Sequence, residues 1–208
     1  MNRIGLFGGS FNPVHTAHLI VAEWAREKAD LDRVLFVPAR RPPHKPDQPL
    51  APGPDRLEML KLATASHPDF EVDPIELNKD EPSYTLLTVR ALRQRLEDDD
   101  ELCLLVGADS VRDLPNWWHA EQLVREATII PMRRPGYSLE NLDDLERRFG
   151  EERTREIRES VVETPRLQIS ATDIRRRVSE GRSVRYLVPD PVRDYILRQG
   201  IYPVQAEQ

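Results

Sequence analysis

The sequence predicts an α/β fold built on a doubly wound parallel sheet with helices on both faces. Short apolar runs rich in β-branched residues alternate with helix-period patterns along the chain, which is the order expected of βαβ units. The 208 residues are enough to cover both faces of such a sheet within a single domain, which we expect to span 1–208. Together these features indicate a Rossmann-like architecture.

The first three elements predict a right-handed βαβ unit. Arg3–Phe7 is a short apolar run without a helix period, so a strand is expected there. In the helix that follows and continues through 19–29, apolar residues recur every three or four positions. Arg33–Val37 is expected to be a second strand, because its unbroken apolar run suits a sheet buried on both faces.

The rest of the chain continues the alternation. The expected helices are Arg56–Ser66, a segment from Pro82 to about Leu96, one or two surface helices within 138–160, a helix after Ser170 and a C-terminal helix that stops at Gly200. The expected strands are Phe70–Ile75, Leu102–Val106, Ala127–Met132 and an edge or bulged strand within Val161–Ile169, which Pro165 interrupts.

The charge balance and composition argue against several classes of protein. The net charge of −6 and the pI near 5.5 disfavour a general nucleic-acid binder, which is usually basic. The single cysteine, Cys103, lies in an apolar run and is expected to be a buried thiol without a disulfide partner. The sequence shows no signal peptide and no apolar run of bilayer length, so we expect a cytoplasmic protein without a membrane partner. A homo-oligomer is compatible with the sequence, which leaves the oligomeric state open.

The stretch that follows the first strand has the composition of an anion site. Gly8-Gly9-Ser10 lets a ligand approach the backbone closely, and Asn12-Pro13 suits a helix start. His15 and His18 lie three residues apart, on one face of that helix. A helix N-terminus offers N–H donors and partial positive charge. The glycines match neither a dinucleotide fingerprint nor a phosphate loop, and without further context an ordinary turn with solvated histidines is equally compatible.

A second anion site is predicted near the other end of the chain. Ser170 followed by Asp173 approximates a capping box at a helix start. Thr172 and Arg175 add a hydroxyl and a cation to the same segment. A strand that leads into a helix N-terminus with these groups favours phosphate binding.

The segment from Pro38 to Pro54 holds seven prolines in seventeen residues, with Arg40, Arg41, His44 and Lys45 in its first half. A segment this long without helix or strand is either a functional loop or a linker between domains. Too little chain precedes it to form a separate domain, which favours the functional loop.

Polar residues also follow two later strands at the predicted carboxyl edge of the sheet, where open α/β folds bind ligands. Asp109 follows the Leu102–Val106 strand, and capping of the next helix is a compatible second role. Arg133 and Arg134 follow the Ala127–Met132 strand, and their position favours phosphate contact over a solvated basic turn.

Two remaining features have an ordinary structural interpretation as well as a functional one. Ser83 and Thr85 are candidate helix caps. Trp117 and Trp118 are adjacent and cannot both point inward, so one lies near the surface, where an indole can stack on a flat electron-poor ring. The acidic run 98–101 is interpreted as a solvated turn rather than a metal site.

Several of these segments match a known family. The stretch from Gly8 to His18 resembles the G-x-F-x-P-x-H-x-G-H signature of the nucleotidyltransferase superfamily, and 169–175 resembles its I-S-x-T-x-I-R signature. Within the superfamily, Pro-Ser-Tyr-Thr at 82–85 and Trp117 resemble the bacterial nicotinate-nucleotide adenylyltransferase family. Ala17 departs from the pattern, because the signature has a glycine there that lets adenosine lie against the helix.

The resemblance implies adenylyl transfer from ATP to nicotinate mononucleotide, giving nicotinate adenine dinucleotide and pyrophosphate in NAD biosynthesis. It implies catalytic roles for His15, His18 and Arg175, and Mg²⁺ held by the triphosphate and water rather than by protein ligands. The residues implied for ATP are Gly8, Gly9, Ser10, Phe11, His15, His18, Asp109, Ser170, Thr172 and Arg175. Those implied for nicotinate mononucleotide are Ser10, Lys45, Ser83, Tyr84, Thr85, Trp117, Arg133 and Arg134. The alternatives are a nucleotidyltransferase for nicotinamide mononucleotide or phosphopantetheine, or a non-catalytic nucleotide sensor.

Overall fold

The computed structural model describes residues 1–41, 50–79, 82–133 and 143–203. Its strands are Arg3–Gly9 (β1), Arg33–Pro38 (β2), Phe70–Val72 (β3), Glu101–Gly107 (β4), Thr128–Arg133 (β5) and Val162–Glu163 (β6). Its helices are Thr16–Lys28 (α1), Gly53–Thr64 (α2), Thr85–Arg93 (α3), Ala108–Val111 (α4), Ala120–Glu126 (α5), Asp143–Phe149 (α6), Glu151–Glu159 (α7), Ala171–Ser179 (α8) and Asp190–Gln199 (α9), with a 3₁₀ turn at Leu114–Asn116.

The strands form one parallel sheet in the order β3-β2-β1-β4-β5-β6. The chain builds outward from β1 through β2 and β3, returns to place β4 beside β1, and then builds outward in the other direction. Ile4 of β1 therefore lies between Arg33 of β2 and Leu102 of β4. The carboxyl ends of β1 and β4 flank the point where the strand order reverses, which is where such sheets bind ligands. The predicted doubly wound parallel sheet is confirmed.

Both faces of the sheet are covered by helices. Along β4, Leu102 and Leu104 pack on one face, whereas Cys103 and Leu105 pack on the other. Helices α1, α2, α8 and α9 contribute buried residues to the Cys103 face, and α3 to α7 contribute to the opposite face. Cys103 is fully buried, as predicted, and burial raises the pKa of its thiol to about 12.

Strand β3 and helix α3 end earlier than predicted, and α2 spans Gly53–Thr64 instead of Arg56–Ser66. Strand β3 stops at Val72 instead of Ile75, because the Asp73 carboxylate accepts the Ile75 N–H at 3.0 Å and Pro74 has no N–H to offer a neighbouring strand. Helix α3 stops at Arg93 instead of near Leu96, where the chain tightens into a turn.

The later part of the chain follows the predicted pattern closely. The charged region 138–160 contains the two helices α6 and α7, which meet at Gly150, whose φ of +84° suits glycine. Strand β6 is a short edge strand before Pro165, and α9 ends at Gly200 with φ of +61°. In the described ranges, no helix combines the length and apolarity needed to cross a bilayer.

Candidate functional site

A cavity of about 430 Å³ opens at the carboxyl ends of β1 and β4, where the strand order reverses. Its lining includes seven of the residues that the sequence singled out, from four separate segments: Gly8, Gly9, Ser10, Ser83, Thr85, Asp109 and Trp117. The fold thus brings together residues that are more than 100 positions apart in the chain.

Both glycines at the end of β1 line this cavity, but only Gly9 has a close neighbour at the position of a Cβ atom. A Cβ at Gly9 would lie 3.1 Å from the ring of Phe11, which is 2% exposed and has a φ of +43°. A Cβ at Gly8 would meet nothing within 4 Å, so Gly8 leaves open space next to the backbone. At the end of β4, a Cβ at Gly107 would lie 2.7 Å from the Asp109 carboxylate, which would have to shift to admit it. Asp109 therefore packs directly over the backbone of Gly107.

The two histidines form a compact pair at the start of α1. The backbone N–H of His15, the N-cap residue, donates to Nδ1 of His18 at 3.1 Å. The two rings stack with centroids 3.6 Å apart, and the ring of Phe11 meets His18 edge-on at 5.1 Å. Because Nδ1 of His18 accepts a hydrogen bond, the ring hydrogen of His18 is on Nε2. His18 therefore offers an N–H donor at the N-terminus of a helix.

Ala17, where the signature has glycine, lies between these histidines. It is 8% exposed and belongs to the buried side of α1. Its methyl group is thus largely covered by protein atoms rather than by solvent.

The helix start that carries the second predicted anion site is present at α8, with one difference. Ser170 is the N-cap, and its hydroxyl accepts the Asp173 N–H at 3.1 Å. The Asp173 carboxylate pairs with Arg176 instead of returning to the Ser170 backbone, so the predicted capping box is only half formed. Arg175 donates to Thr172 Oγ1 at 3.2 Å.

Asn12 connects the two helix starts where anion sites are predicted. Its backbone carbonyl accepts a hydrogen bond from Arg175 at 2.8 Å. Its side-chain oxygen accepts the phenol of Tyr202 at 2.7 Å and the N–H of Ala51 at 3.0 Å. The loop before α1, the first turns of α8 and the end of the described chain are therefore held as one unit.

The two parts of the site meet at Phe7. This side chain lines the cavity and approaches the ring of His18 edge-on, with centroids 6.1 Å apart. His15, His18, Thr172 and Arg175 lie outside the cavity lining. The site thus consists of a cavity at the sheet edge and an adjoining cationic pair of helix starts.

Ser83 connects the cavity wall to the basic segment that follows β2. Its hydroxyl accepts the N–H of Arg40 at 2.9 Å, and its own N–H donates to the carbonyl of Arg41 at 3.2 Å. The N-cap of α3 is Tyr84, with no side-chain cap, so neither Ser83 nor Thr85 performs the capping role that the sequence allowed. Thr85 begins α3 and lines the cavity.

The adjacent tryptophans face different surroundings, as expected. Trp117 lines the cavity and packs against the core face shared by α3 to α7. Trp118 is 40% exposed and stacks on Tyr84, with ring centroids 4.9 Å apart and 24° between the planes.

One further predicted residue, Arg133, lies away from the cavity lining, and three others lie outside the described residues. Arg133 pairs with Glu163 across the β5–β6 edge and is not part of the cavity lining. Arg134, His44 and Lys45 lie outside the described residues.

Two buried ionisable side chains behind the cavity were not predicted. Arg56 of α2 is 2% exposed, and burial lowers the pKa of its guanidinium. Glu76 is 9% exposed and lines the cavity. It accepts the hydroxyl of Thr88 at 2.6 Å, and burial raises the pKa of its carboxyl although hydrogen bonds oppose the change.

Among the described residues, no cluster of three or more His, Cys, Asp or Glu side chains could hold a metal ion.

The chain resembles known proteins along nearly its whole length. A model of the family described as cytidylyltransferase-like matches residues 6–177. Over 200 residues the chain is 48% identical to a Thermus thermophilus protein named "Probable nicotinate-nucleotide adenylyltransferase", which covers 96% of this chain and 99% of that relative. The chain belongs to the nicotinate-nucleotide adenylyltransferase family. A relative of the same name from Thermomicrobium roseum is 42% identical over 202 residues, which are 97% of this chain and 92% of that protein.

A solved structure shows the same fold. Plasmodium falciparum nicotinic acid mononucleotide adenylyltransferase complexed with NaAD superposes with a TM-score of 0.74 over 100% of both chains, at 18% identity. The family resemblance that the motifs indicated is thus confirmed by whole-chain similarity and by the fold.

For this member of the nicotinate-nucleotide adenylyltransferase family, the sequence motifs do not reveal the buried supports of the site. Arg56 lies four residues before Leu60 and seven before Ala63, so the helix period does place it on the buried face of α2. Tyr202 and Glu76 carry no comparable local signal, because their partners Asn12 and Thr88 are set by tertiary packing.

Proposed function

We propose that the protein transfers the adenylyl group of ATP to nicotinate mononucleotide, releasing pyrophosphate and forming nicotinate adenine dinucleotide. The observation that carries this proposal is the hydrogen bond from Arg175 to Asn12, which joins two phosphate-binding helix starts beside an aromatic-walled cavity. The names of relatives that are 42–48% identical over almost the whole chain support the same reaction.

The reaction is a direct displacement at phosphorus. A phosphate oxygen of nicotinate mononucleotide attacks the α-phosphorus of ATP, and the bond from that phosphorus to the bridging oxygen of the β-phosphate breaks. Pyrophosphate leaves with the electron pair, so no covalent intermediate with the protein is needed. Such chemistry requires alignment and charge stabilisation more than a nucleophilic side chain.

His15 and His18 supply part of that stabilisation at the start of α1. The Nε2–H of His18 donates to a phosphate oxygen on which negative charge develops, and the helix N-terminus adds partial positive charge. The stacked ring of His15, 3.6 Å away, restricts the orientation of His18.

The start of α8 holds the leaving pyrophosphate. Arg175 provides the positive charge, and the hydroxyls of Ser170 and Thr172 and the first amides of the helix provide hydrogen bonds. Because Arg175 also holds the Asn12 carbonyl, the leaving group and the attacked phosphate are kept in a fixed relative position.

The cavity takes the pyridine substrate. Trp117 stacks on the nicotinate ring, and Ser83 and Thr85 contribute to the cavity wall. Tyr84 lies between them in the chain and stacks on Trp118 instead of lining the cavity. Lys45 and Arg134 remain predicted contacts for the phosphate of this substrate. Arg133 would have to break its ion pair with Glu163 to contact that phosphate.

Mg²⁺ accompanies the triphosphate in this proposal. Asp109 is a single carboxylate at the cavity, and the described residues build no metal cage, so phosphate oxygens and water are the expected ligands, with Asp109 ordering that water. When bound, the ion neutralises negative charge on the phosphates.

The experiment is a measurement of pyrophosphate release with ATP, Mg²⁺ and each of three acceptors. Nicotinate mononucleotide is expected to react fastest, ahead of nicotinamide mononucleotide and phosphopantetheine. A preference for either of the other two assigns a different acceptor. Nucleotide binding by calorimetry without any pyrophosphate release contradicts an enzyme and favours a sensor.

A further inference from the structure

Arg56 is buried directly behind the site. It belongs to the first turns of α2 and is 2% exposed. Its Nη1 donates to the carbonyls of Ser10 at 2.8 Å and Ala39 at 2.7 Å, and its Nε donates to the carbonyl of Ala51 at 3.0 Å. One guanidinium therefore holds three separate pieces of backbone.

These three carbonyls belong to the segments that shape the site. Ser10 ends the glycine-rich turn and lines the cavity together with Ala39. Ala39 comes just after β2, and its own N–H donates to the Gly9 carbonyl at 2.8 Å. Ala51 precedes α2, and its N–H donates to Asn12. Arg56 thus connects the glycine-rich turn to the described residues on both sides of 42–49.

Packing alone does not explain an arginine in this place. No carboxylate in the described ranges forms an ion pair with Arg56, and the hydrogen-bond acceptors found for it there are backbone carbonyls. Glu76 interacts favourably with its charge without forming an ion pair with it. A buried charge without a counter-ion costs stability, and an apolar side chain of similar volume is usually tolerated as well or better. Burial lowers the pKa of the guanidinium because it disfavours the charged form. What only an arginine provides here is a rigid planar fork that reaches several acceptors at once.

We propose that Arg56 is a positioning residue for adenylyl transfer, which fixes the Gly8-Gly9-Ser10 turn relative to the segment that begins at Ala39. Its hydrogen bond to the Ser10 carbonyl also polarises that peptide group, so the Phe11 N–H becomes a stronger donor. The inference rests on the proposed function for its effect on turnover, whereas its effect on the backbone is independent of any reaction.

The test compares Arg56→Met and Arg56→Lys with Met59→Ala, which removes a fully buried side chain from the same helix. All are assayed below the unfolding temperature of the least stable variant. Arg56→Met is expected to lower kcat by about 10- to 100-fold with a smaller change in KM, since a small misplacement of aligned groups carries such a cost. Arg56→Lys is expected to recover part of the loss, because it restores a cation but not the fork. Met59→Ala is expected to keep a wild-type kcat.

Amide hydrogen exchange without substrates provides the second readout. Exchange in 8–12 and 39–41 is expected to accelerate in Arg56→Met and, to a lesser degree, in Arg56→Lys, but not in Met59→Ala. Wild-type exchange in these segments together with a kcat like that of Met59→Ala overturns the proposal. If Arg56→Met does not fold, the same comparison is made with Arg56→Lys, and wild-type kcat and exchange in that variant overturn it. If the wild-type protein releases no pyrophosphate, the proposed function fails, and the exchange data alone decide whether Arg56 holds the two segments.

Discussion

The guanidinium of Arg175 donates a hydrogen bond to the backbone carbonyl of Asn12 at 2.8 Å, although 163 residues separate them in the chain. The same guanidinium donates to Thr172 Oγ1 at 3.2 Å. A single side chain therefore ties the first turns of α8 to the loop that precedes α1. The two predicted anion sites at opposite ends of the sequence are therefore parts of one structure, and we expect a ligand with several phosphates to contact both.

Replacement of Arg175 tests this link. Arg175→Ala removes both the bridge to Asn12 and the positive charge, and we expect kcat for pyrophosphate release to fall by about 100-fold or more with the fold retained. The matched control is Arg176→Ala on the same helix, whose guanidinium pairs with Asp173 and Glu180 on the exposed face. Equal activities of the two variants would show that the bridge has no catalytic role.

His18→Ala tests the donor at the start of α1. Loss of one donor that stabilises developing charge typically lowers turnover by about 100- to 1000-fold, and we expect a decrease of that size with an unchanged circular dichroism spectrum. The control is His67→Ala, because His67 pairs with Glu23 and stacks on Phe70, outside the cavity lining. Near-normal turnover of His18→Ala would contradict the role of His18 as a donor to the reacting phosphate.

The sequence predicts the sheet and several of the residues that line the cavity. It does not predict the buried side chains that hold those residues in place. The order of strands and helices can be predicted because hydrophobic periodicity depends on residues that are close in the sequence. The turn at Gly9 and the cap at Ser170 can be predicted for the same reason. Arg56 and Glu76 act on carbonyls and hydroxyls that lie 5 to 46 residues away, and their contacts exist only after the sheet has formed. The end of β3 differs from the prediction because of a local contact: the Asp73 side chain accepts the Ile75 N–H and forms a turn within the segment expected to be a strand.

The tryptophan pair offers a test of substrate orientation. Stacking of an aromatic ring on a base contributes about 1–3 kcal/mol, so Trp117→Ala is expected to raise the KM for nicotinate mononucleotide by about 5- to 100-fold. The KM for ATP is expected to change little. Trp118→Ala is the comparison, because Trp118 is exposed and stacks on Tyr84 rather than lining the cavity. A larger rise in KM for Trp118→Ala would transfer the stacking role to that residue.

The last prediction concerns pH and the buried carboxyl of Glu76. Burial raises the pKa of this group in the folded protein above its ordinary value of 4.5. The unfolded chain therefore ionises first as the pH rises, and the folded state loses stability between that value and the higher folded pKa. Glu76→Gln keeps an oxygen that accepts the Thr88 hydroxyl but cannot ionise. The melting temperature of Glu76→Gln, measured from pH 4 to pH 8, is thus expected to increase relative to that of the wild type as the pH increases. The exposed Glu97→Gln serves as the control, and a pH-independent difference between Glu76→Gln and the wild type would contradict the raised pKa.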